Sequence, residues 1–208
     1  MMQVKLIHRG AEAEIYITEV FGRKAILKKR TPKTYRCETL DKRIRIERSR
    51  SEALLIHRAK LVGVRTPTLL EVCTEKAEIC MEYVAGRRLK DALVCSPKAM
   101  RIRFCRRFGD YIAKLHNANI IHGDLTTSNV IVQRDAHLVL LDFGLGFHSH
   151  KVEDKATDLL NLKKSFLATH ARLKNEWKAL LQRYKVKCND AAEVLKKMVE
   201  IEQRARYY

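Results

Sequence analysis

Residues 129–132 and 137–141 are two short apolar segments separated by a few polar residues, the pattern of a tight β-hairpin. What borders this hairpin constrains the whole chain. Before it runs Ile120-Ile121-His122-Gly123-Asp124-Leu125-Thr126-Thr127-Ser128-Asn129, with Asp124 and Asn129 five apart, and after it comes Leu141-Asp142-Phe143-Gly144. Any fold of this chain must place Asp142 one short hairpin away from Asp124 and Asn129.

These residue types in this order suit phosphoryl transfer. An Asp, here Asp124, positions the attacking oxygen and accepts its proton. An Asn and a second Asp, here Asn129 and Asp142, hold magnesium ions that neutralise a triphosphate. Each piece alone is a weak signal, since an isolated Asp-Phe-Gly is usually a turn. The ordered set at kinase-like spacing is a strong one.

The rest of the chain supplies an architecture for that chemistry. Residues 4–8, 14–20 and 24–28 read as strands, with Phe21-Gly22-Arg23 as a hairpin turn. A helix follows from about residue 40 to residue 61, ended by Gly63, with Leu40, Ile44, Leu54, Leu55, Ala59 and Val62 as an incomplete apolar stripe. Residues 68–74 and 77–84 read as two more strands, and Ala85-Gly86-Arg87-Arg88 interrupts the pattern. Helices then dominate: 99–118, with Phe104, Phe108, Ile112 and Leu115 at helical spacing, then 155–184, then 190 to the end. The expected fold class is α+β, a reduced two-lobed protein-kinase-like fold. Its N-terminal lobe, 1–84, is an antiparallel sheet with one helix, and its C-terminal lobe, 85–208, is mainly helical.

Further site residues follow from that frame. Lys28 ends the third strand as a phosphate-binding lysine; strand alternation admits only one of Lys28 and its neighbour Lys29 to the cleft, and Lys28 is the one that continues the kinase-like Ala25-Ile26-Leu27-Lys28 pattern. Glu52 on the following helix is its ion-pair partner, with Glu47 facing another side. Met81-Glu82-Tyr83-Val84 forms the hinge whose backbone hydrogen-bonds adenine, and Val20 and Ala25 pack on the base. The first turn reads Gly10-Ala11-Glu12-Ala13 and lacks a Gly-x-Gly-x-x-Gly run. Its acids, Glu12 and Glu14, sit awkwardly beside a triphosphate unless a cation pairs with them. Gly123 stands where an arginine normally couples the catalytic loop to a phosphorylated activation loop, and no Ala-Pro-Glu follows Gly144. A peptide-docking platform is therefore reduced or absent.

Composition narrows the setting. The formal net charge is +18, from 42 Lys plus Arg against 24 Asp plus Glu, which on charge alone fits either a solvated basic surface or contact with a polyanion. Six cysteines without a Cys-x-x-Cys pair read as reduced, mostly buried thiols. With no apolar signal region and no membrane-length apolar run, a cytoplasmic protein is expected. His148-Ser149-His150 has too few ligands for a metal site.

The departures from an ordinary kinase are themselves patterned. Gly10-Ala11-Glu12-Ala13, Lys33-Thr34-Tyr35-Arg36, Leu40-Asp41, Arg48-Ser49-Arg50-Ser51-Glu52-Ala53 and the loop from His122 to Asn129 together resemble the small kinase/ATPase subunit of the KEOPS complex, the Bud/PRPK family. The resemblance covers nearly the whole chain. It implies an atypical serine/threonine kinase fold that binds ATP and magnesium, hydrolyses ATP and supports threonylcarbamoyladenosine modification of tRNA. Its implied partners are the threonylcarbamoyl transferase subunit on one side, a small regulatory subunit on the N-terminal lobe, and tRNA. Arg43, Arg45, Arg48, Arg50, Lys196, Lys197, Arg204 and Arg206 are the candidates for tRNA or partner contact. The tail, with Ala205 at a usual glycine position, departs from the family, and the compact length fits an archaeal source.

Three rivals share parts of this pattern. A RIO-type kinase in ribosome maturation shares His-Gly-Asp-Leu but words its metal loop differently. A scaffolding pseudokinase would not need Lys28, Asp124, Asn129 and Asp142 together. An aminoglycoside-type phosphotransferase needs a longer chain.

Overall fold

A computed structural model describes residues 4–204. Five antiparallel strands open the fold: β1 (Lys5–Arg9), β2 (Ala13–Val20), β3 (Arg23–Arg30), β4 (Leu69–Cys73) and β5 (Glu78–Glu82), in the sheet order β1-β2-β3-β5-β4. The β2–β3 hairpin turns on Phe21 and Gly22, both at positive φ (49° and 72°), the conformation whose twist matches that of the flanking strands. From Ala13↔Arg30 to Val20↔Arg23 the register runs without a bulge, so strand parity is a reliable guide to facing along β3.

Between β3 and β4 lies the long helix α1 (Glu38–Leu61), with Glu38 and Asp41 in its first turn and Arg58 and Lys60 in its last, as the helix dipole favours. Its buried residues include Glu52, Leu55, Ile56 and Ala59, at i, i+3, i+4 and i+7 spacing, with Ala53 beside them. Leu40 and Leu54 lie off that stripe and are exposed, which revises the stripe read from sequence. Ala53 packs with Ile79 and Met81 under the sheet, whereas Leu55, Ile56 and Ala59 enter the core of the helical part. One helix thus serves both regions.

The remainder is mainly helical. It comprises β6 (Arg87–Arg88), α2 (Leu89–Cys95), α3 (Lys98–Asn117), β7 (Ile120–Ile121), a 3-10 turn (Thr127–Asn129), β8 (Val130–Val132), β9 (Leu138–Leu140), β10 (Phe147–His148), α4 (Val152–Thr169), α5 (Lys174–Lys187) and α6 (Ala191–Arg204). Helix α2 escaped the sequence reading because its seven residues are too few to establish a periodicity. Residues 155–184 form parts of two helices, parted where His170 caps α4 and its N–H bonds back to the Phe166 carbonyl. Helices α3 and α5 cross so closely at Gly109 that a Cβ there would lie 2.4 Å from the Leu180 carbonyl oxygen. Phe104, Phe108, Ile112, Leu115, Phe166, Leu180 and Tyr184 fill the core between the helices.

All six cysteines are free, but only Cys80, Cys105 and Cys188 are buried; Cys37 and Cys95 are exposed and Cys73 is intermediate, which corrects the expectation of mostly buried thiols. Burial pushes the Cys105 thiol up to about 12, so it is an inert core residue. No helix among the described residues is long and apolar enough to cross a membrane.

Candidate active site

Lys28 is the centre of the site. It lies two residues from the end of β3, nearly buried, and its Nζ donates to Glu52 Oε1 and to Asp142 Oδ1, both at 2.6 Å. The sheet, α1 and the Asp-Phe-Gly turn therefore meet at one ammonium. Burial alone would lower the Lys28 pKa; the carboxylates of Glu52 and Asp142 outweigh it, and the net shift is upward. Asp142 moves the opposite way: burial works to raise its pKa, but Lys28 and the Gly144 N–H hold it below the usual carboxylate range. Lys29 points away and pairs with Glu78 at 3.1 Å, and Glu47 pairs with Arg43 at 3.0 Å on the exposed side of α1.

The second half of the site comes from the loop between β7 and β8. Asn129 Nδ2 donates to the Asp124 carbonyl at 3.0 Å and to Asp124 Oδ2 at 2.8 Å, which fixes the carboxylate. Behind the loop, Asp158 on α4 accepts the backbone N–H groups of His122 and Gly123, each at 3.0 Å. His122 is fully buried; its Nε2–H donates to the Leu141 carbonyl at 3.0 Å and its ring lies 4.6 Å from that of Phe143. Burial lowers its pKa and favours the neutral ring, in keeping with Nδ1 accepting the Asp124 N–H at 3.3 Å. Gly123 adopts φ +80°, and a Cβ there would meet the Leu145 carbonyl oxygen at 2.3 Å, so no larger residue fits.

Residues 8–184 match the model of the lipopolysaccharide kinase (Kdo/WaaP) family. The chain is 39% identical over 213 residues to a Pyrococcus abyssi protein named KEOPS complex subunit Bud32, covering 98% of this chain and 96% of that one. It belongs to the Bud32 kinase family. It is also 33% identical over 207 residues to the EKC/KEOPS complex subunit bud32 of Dictyostelium discoideum, covering 82% of that protein. A Methanothermobacter thermautotrophicus protein named as a probable bifunctional tRNA threonylcarbamoyladenosine biosynthesis protein is 42% identical over 203 residues, but the chain spans only 36% of its length.

Within this family frame the first turn resolves the problem of its acids. Gly10 N–H bonds the Ala13 carbonyl at 2.9 Å to close the turn, and Lys33 Nζ donates to the Ala11 carbonyl. Arg48 Nη1 lies 2.5 Å from Glu12, while Arg9 and the Tyr16 hydroxyl take Glu14 at 2.8 and 2.6 Å. Both acids are thus paired with cations.

Strand parity revises two site residues. Lys28 shares its face of the sheet with Ile26, Ile15 and Ile17, whereas Val20 and Ala25 fall on the opposite face. The apolar wall next to Lys28 is therefore isoleucine, and Val20 and Ala25 do not line it. Met81 pairs with Ile26 on the Lys28 face, and Val84, just past β5, is buried beside the half-exposed Tyr83. Glu82 N–H is taken by the Thr68 carbonyl at 2.8 Å.

The candidate RNA-contacting arginines are unequal. Arg43 and Arg50 are exposed on α1, but Arg45 turns inward to Asp41 at 2.7 Å and Arg48 to Glu12. Lys196 lies beside Lys197 on α6, where Lys197 pairs with Glu200 at 2.7 Å. Arg204 ends α6 with its side chain 65% exposed, 3.9 Å from Glu153, and Arg206 lies outside the described residues. His148 and His150 lie ring to ring at 5.1 Å, and among the described residues no group of three or more His, Cys, Asp or Glu is placed to hold a metal.

Sequence reasoning missed Arg30 and Asp158. Arg30 could have been found from its parity with Lys28 on β3. Asp158 had no local signal, since only the packing of α4 beneath the loop gives its carboxylate a purpose.

Proposed function

We propose that the protein binds ATP with magnesium between the β1–β5 sheet and the Asp124–Asn129 loop and cleaves the γ-phosphate. One observation carries this reading: Lys28 and Asp142, 114 positions apart, meet at 2.6 Å beside Glu52. A phosphate-binding lysine, its helix-borne acid and a metal-binding acid at one point are the parts that phosphoryl transfer needs. The lobes divide at residues 84 and 85, with Met81, Glu82, Tyr83 and Val84 as the adenine-binding hinge.

In this reading Asp124 orients the attacking oxygen and takes its proton, its carboxylate held by the Asn129 amide at 2.8 Å. Lys28 holds the phosphates, and the Gly10-Ala11-Glu12-Ala13 turn covers them with its acids already neutralised. The donor set fits magnesium. The Asn129 amide nitrogen is spent on Asp124, which leaves its carbonyl oxygen, with the Asp142 carboxylate, as two hard ligands, and magnesium takes the rest from phosphates and water. When bound, the ion neutralises the triphosphate charge.

The biological task we assign is that of a cytoplasmic KEOPS ATPase subunit serving threonylcarbamoyladenosine modification of tRNA, a reading supported by relatives named as KEOPS subunits and as a threonylcarbamoyladenosine biosynthesis protein. A threonylcarbamoyl transferase subunit and a small subunit on the sheet side are its partners, and exposed cations meet tRNA. The test is magnesium-dependent ATP hydrolysis by the pure protein, alone and with partner subunits and tRNA. Stimulation by the assembly is the expected result; no hydrolysis under any condition would overturn the reading.

A further inference from the structure

Arg30 is 4% exposed at the end of β3, on the same face as Lys28 and two residues along. Its Nη2 lies 2.7 Å from Glu52 Oε2, while Lys28 holds Oε1 of the same carboxylate at 2.6 Å. Among the described residues its Nε meets no acceptor. The guanidinium also reaches the Asp-Phe-Gly turn: a Cβ on Gly144 would lie 3.2 Å from both Arg30 Nη2 and Lys28 Nζ.

The charges show why a second cation is needed. Without nucleotide, Lys28 and Arg30 balance Glu52 and Asp142. When Lys28 turns toward phosphate and Asp142 toward a metal, a Glu52 served by Lys28 alone would be a buried carboxylate competing with the phosphate for that lysine. A buried acid that loses its partner is costly, so it would either keep Lys28 or let α1 move away. With Arg30 in place, Glu52 stays neutralised one to one and Lys28 is released.

We propose that Arg30 is a positioning residue that holds Glu52 docked, and with it α1, so that Lys28 is free to engage the triphosphate without a regulatory phosphate. This rests on the ATP reading of the site.

The test is a double-mutant cycle of Arg30→Met and Glu52→Gln, with Arg30→Lys for rescue and Lys28→Ala as control. All five variants, the double variant included, and the wild type are read for kcat and KM for ATP per folded protein, with folding checked by thermal melting. Arg30→Met is expected to lose about tenfold or more in kcat/KM, with a raised KM, and Arg30→Lys to recover most of it. In the Glu52→Gln background Arg30→Met should cost little further, because a neutral amide does not hold Lys28. Should Arg30→Met unfold, Arg30→Lys and the double variant, which leaves no buried unpaired charge, still decide the matter. Wild-type constants in a folded Arg30→Met protein would overturn the proposal, as would a loss of equal size in the Glu52→Gln background. Full turnover by Lys28→Ala would instead overturn the ATP reading of the site, and the proposal with it.

Discussion

Asp158 and Gly123 are joined across 35 positions by a 3.0 Å bond from the Gly123 N–H to Asp158 Oδ1, while Oδ2 of the same carboxylate takes the His122 N–H. This one side chain, fully buried and also 3.3 Å from His116 Nε2, ties the loop that carries Asp124 to helix α4.

Asp158→Ala should therefore cost about 3–5 kcal/mol of stability, because it strips the buried His122 N–H, the part-buried Gly123 N–H and the buried His116 of their acceptor. Asp158→Asn should cost less, since it keeps one acceptor oxygen. Urea unfolding gives the size, and hydrogen exchange should rise first at the His122 and Gly123 amides. Unchanged protection there would show that the loop is held by other means.

Lys28→Ala and Asp142→Asn should each lower ATP turnover by about 100-fold or more, the scale of removing a preorganised electrostatic group. Both proteins should stay folded, since Asp142 is half exposed and Glu52 retains Arg30. Steady-state hydrolysis beside circular dichroism checks this. Near-normal turnover by a folded Asp142→Asn protein would remove Asp142 from the site.

Phosphatase treatment should leave ATPase activity largely unchanged. An arginine at position 123 is what would read a loop phosphate, and the Leu145 carbonyl leaves no room for one. A many-fold drop after treatment would reveal a phosphate-ordered loop.

Stability should fall as pH drops below about 6.5, the ordinary histidine value. Burial lowers the pKa of both His122 and His170. In that window the unfolded chain binds protons that the folded chain resists, so the unfolded state gains as pH falls, until the folded-state values are passed. His170 holds Thr127 Oγ1 at 3.1 Å in the turn before Asn129, so its protonation disturbs the site as well as the fold. Urea midpoints between pH 7.5 and pH 5.5 should decline, and His170→Gln should flatten the decline; a flat wild-type profile would contradict it.

Replacing Arg204 and Arg206 with alanine should weaken tRNA binding by the assembled complex and flatten its salt slope by about one or two units. Magnesium-dependent ATP binding should persist. Arg204 is exposed and only loosely paired, so its loss should cost little stability. Identical slopes for wild type and variant would leave the charge a general surface property.

The proximity of the candidate site's residues was legible in the sequence because most of it is local. Asp124, Asn129 and Asp142 are fixed relative to one another by a short loop and a hairpin, while strand alternation left one of Lys28 and Lys29 for the cleft and the kinase-like pattern selected Lys28. The order of strands and helices was equally readable, since periodicity survives in most segments of the chain. Tertiary structure decided the rest. Which face Val20 and Ala25 present depends on the pairing of three strands, and the exposure of Leu40 and Leu54 on the rotation of α1 against two cores at once. The pairing of Glu12 with Arg48 joins residues 36 apart, that of Arg30 with Glu52 residues 22 apart, and the hold of Asp158 on Gly123 residues 35 apart. A side chain's charge is written in the sequence, but its partner is chosen by packing, because only burial makes one carboxylate among many worth neutralising.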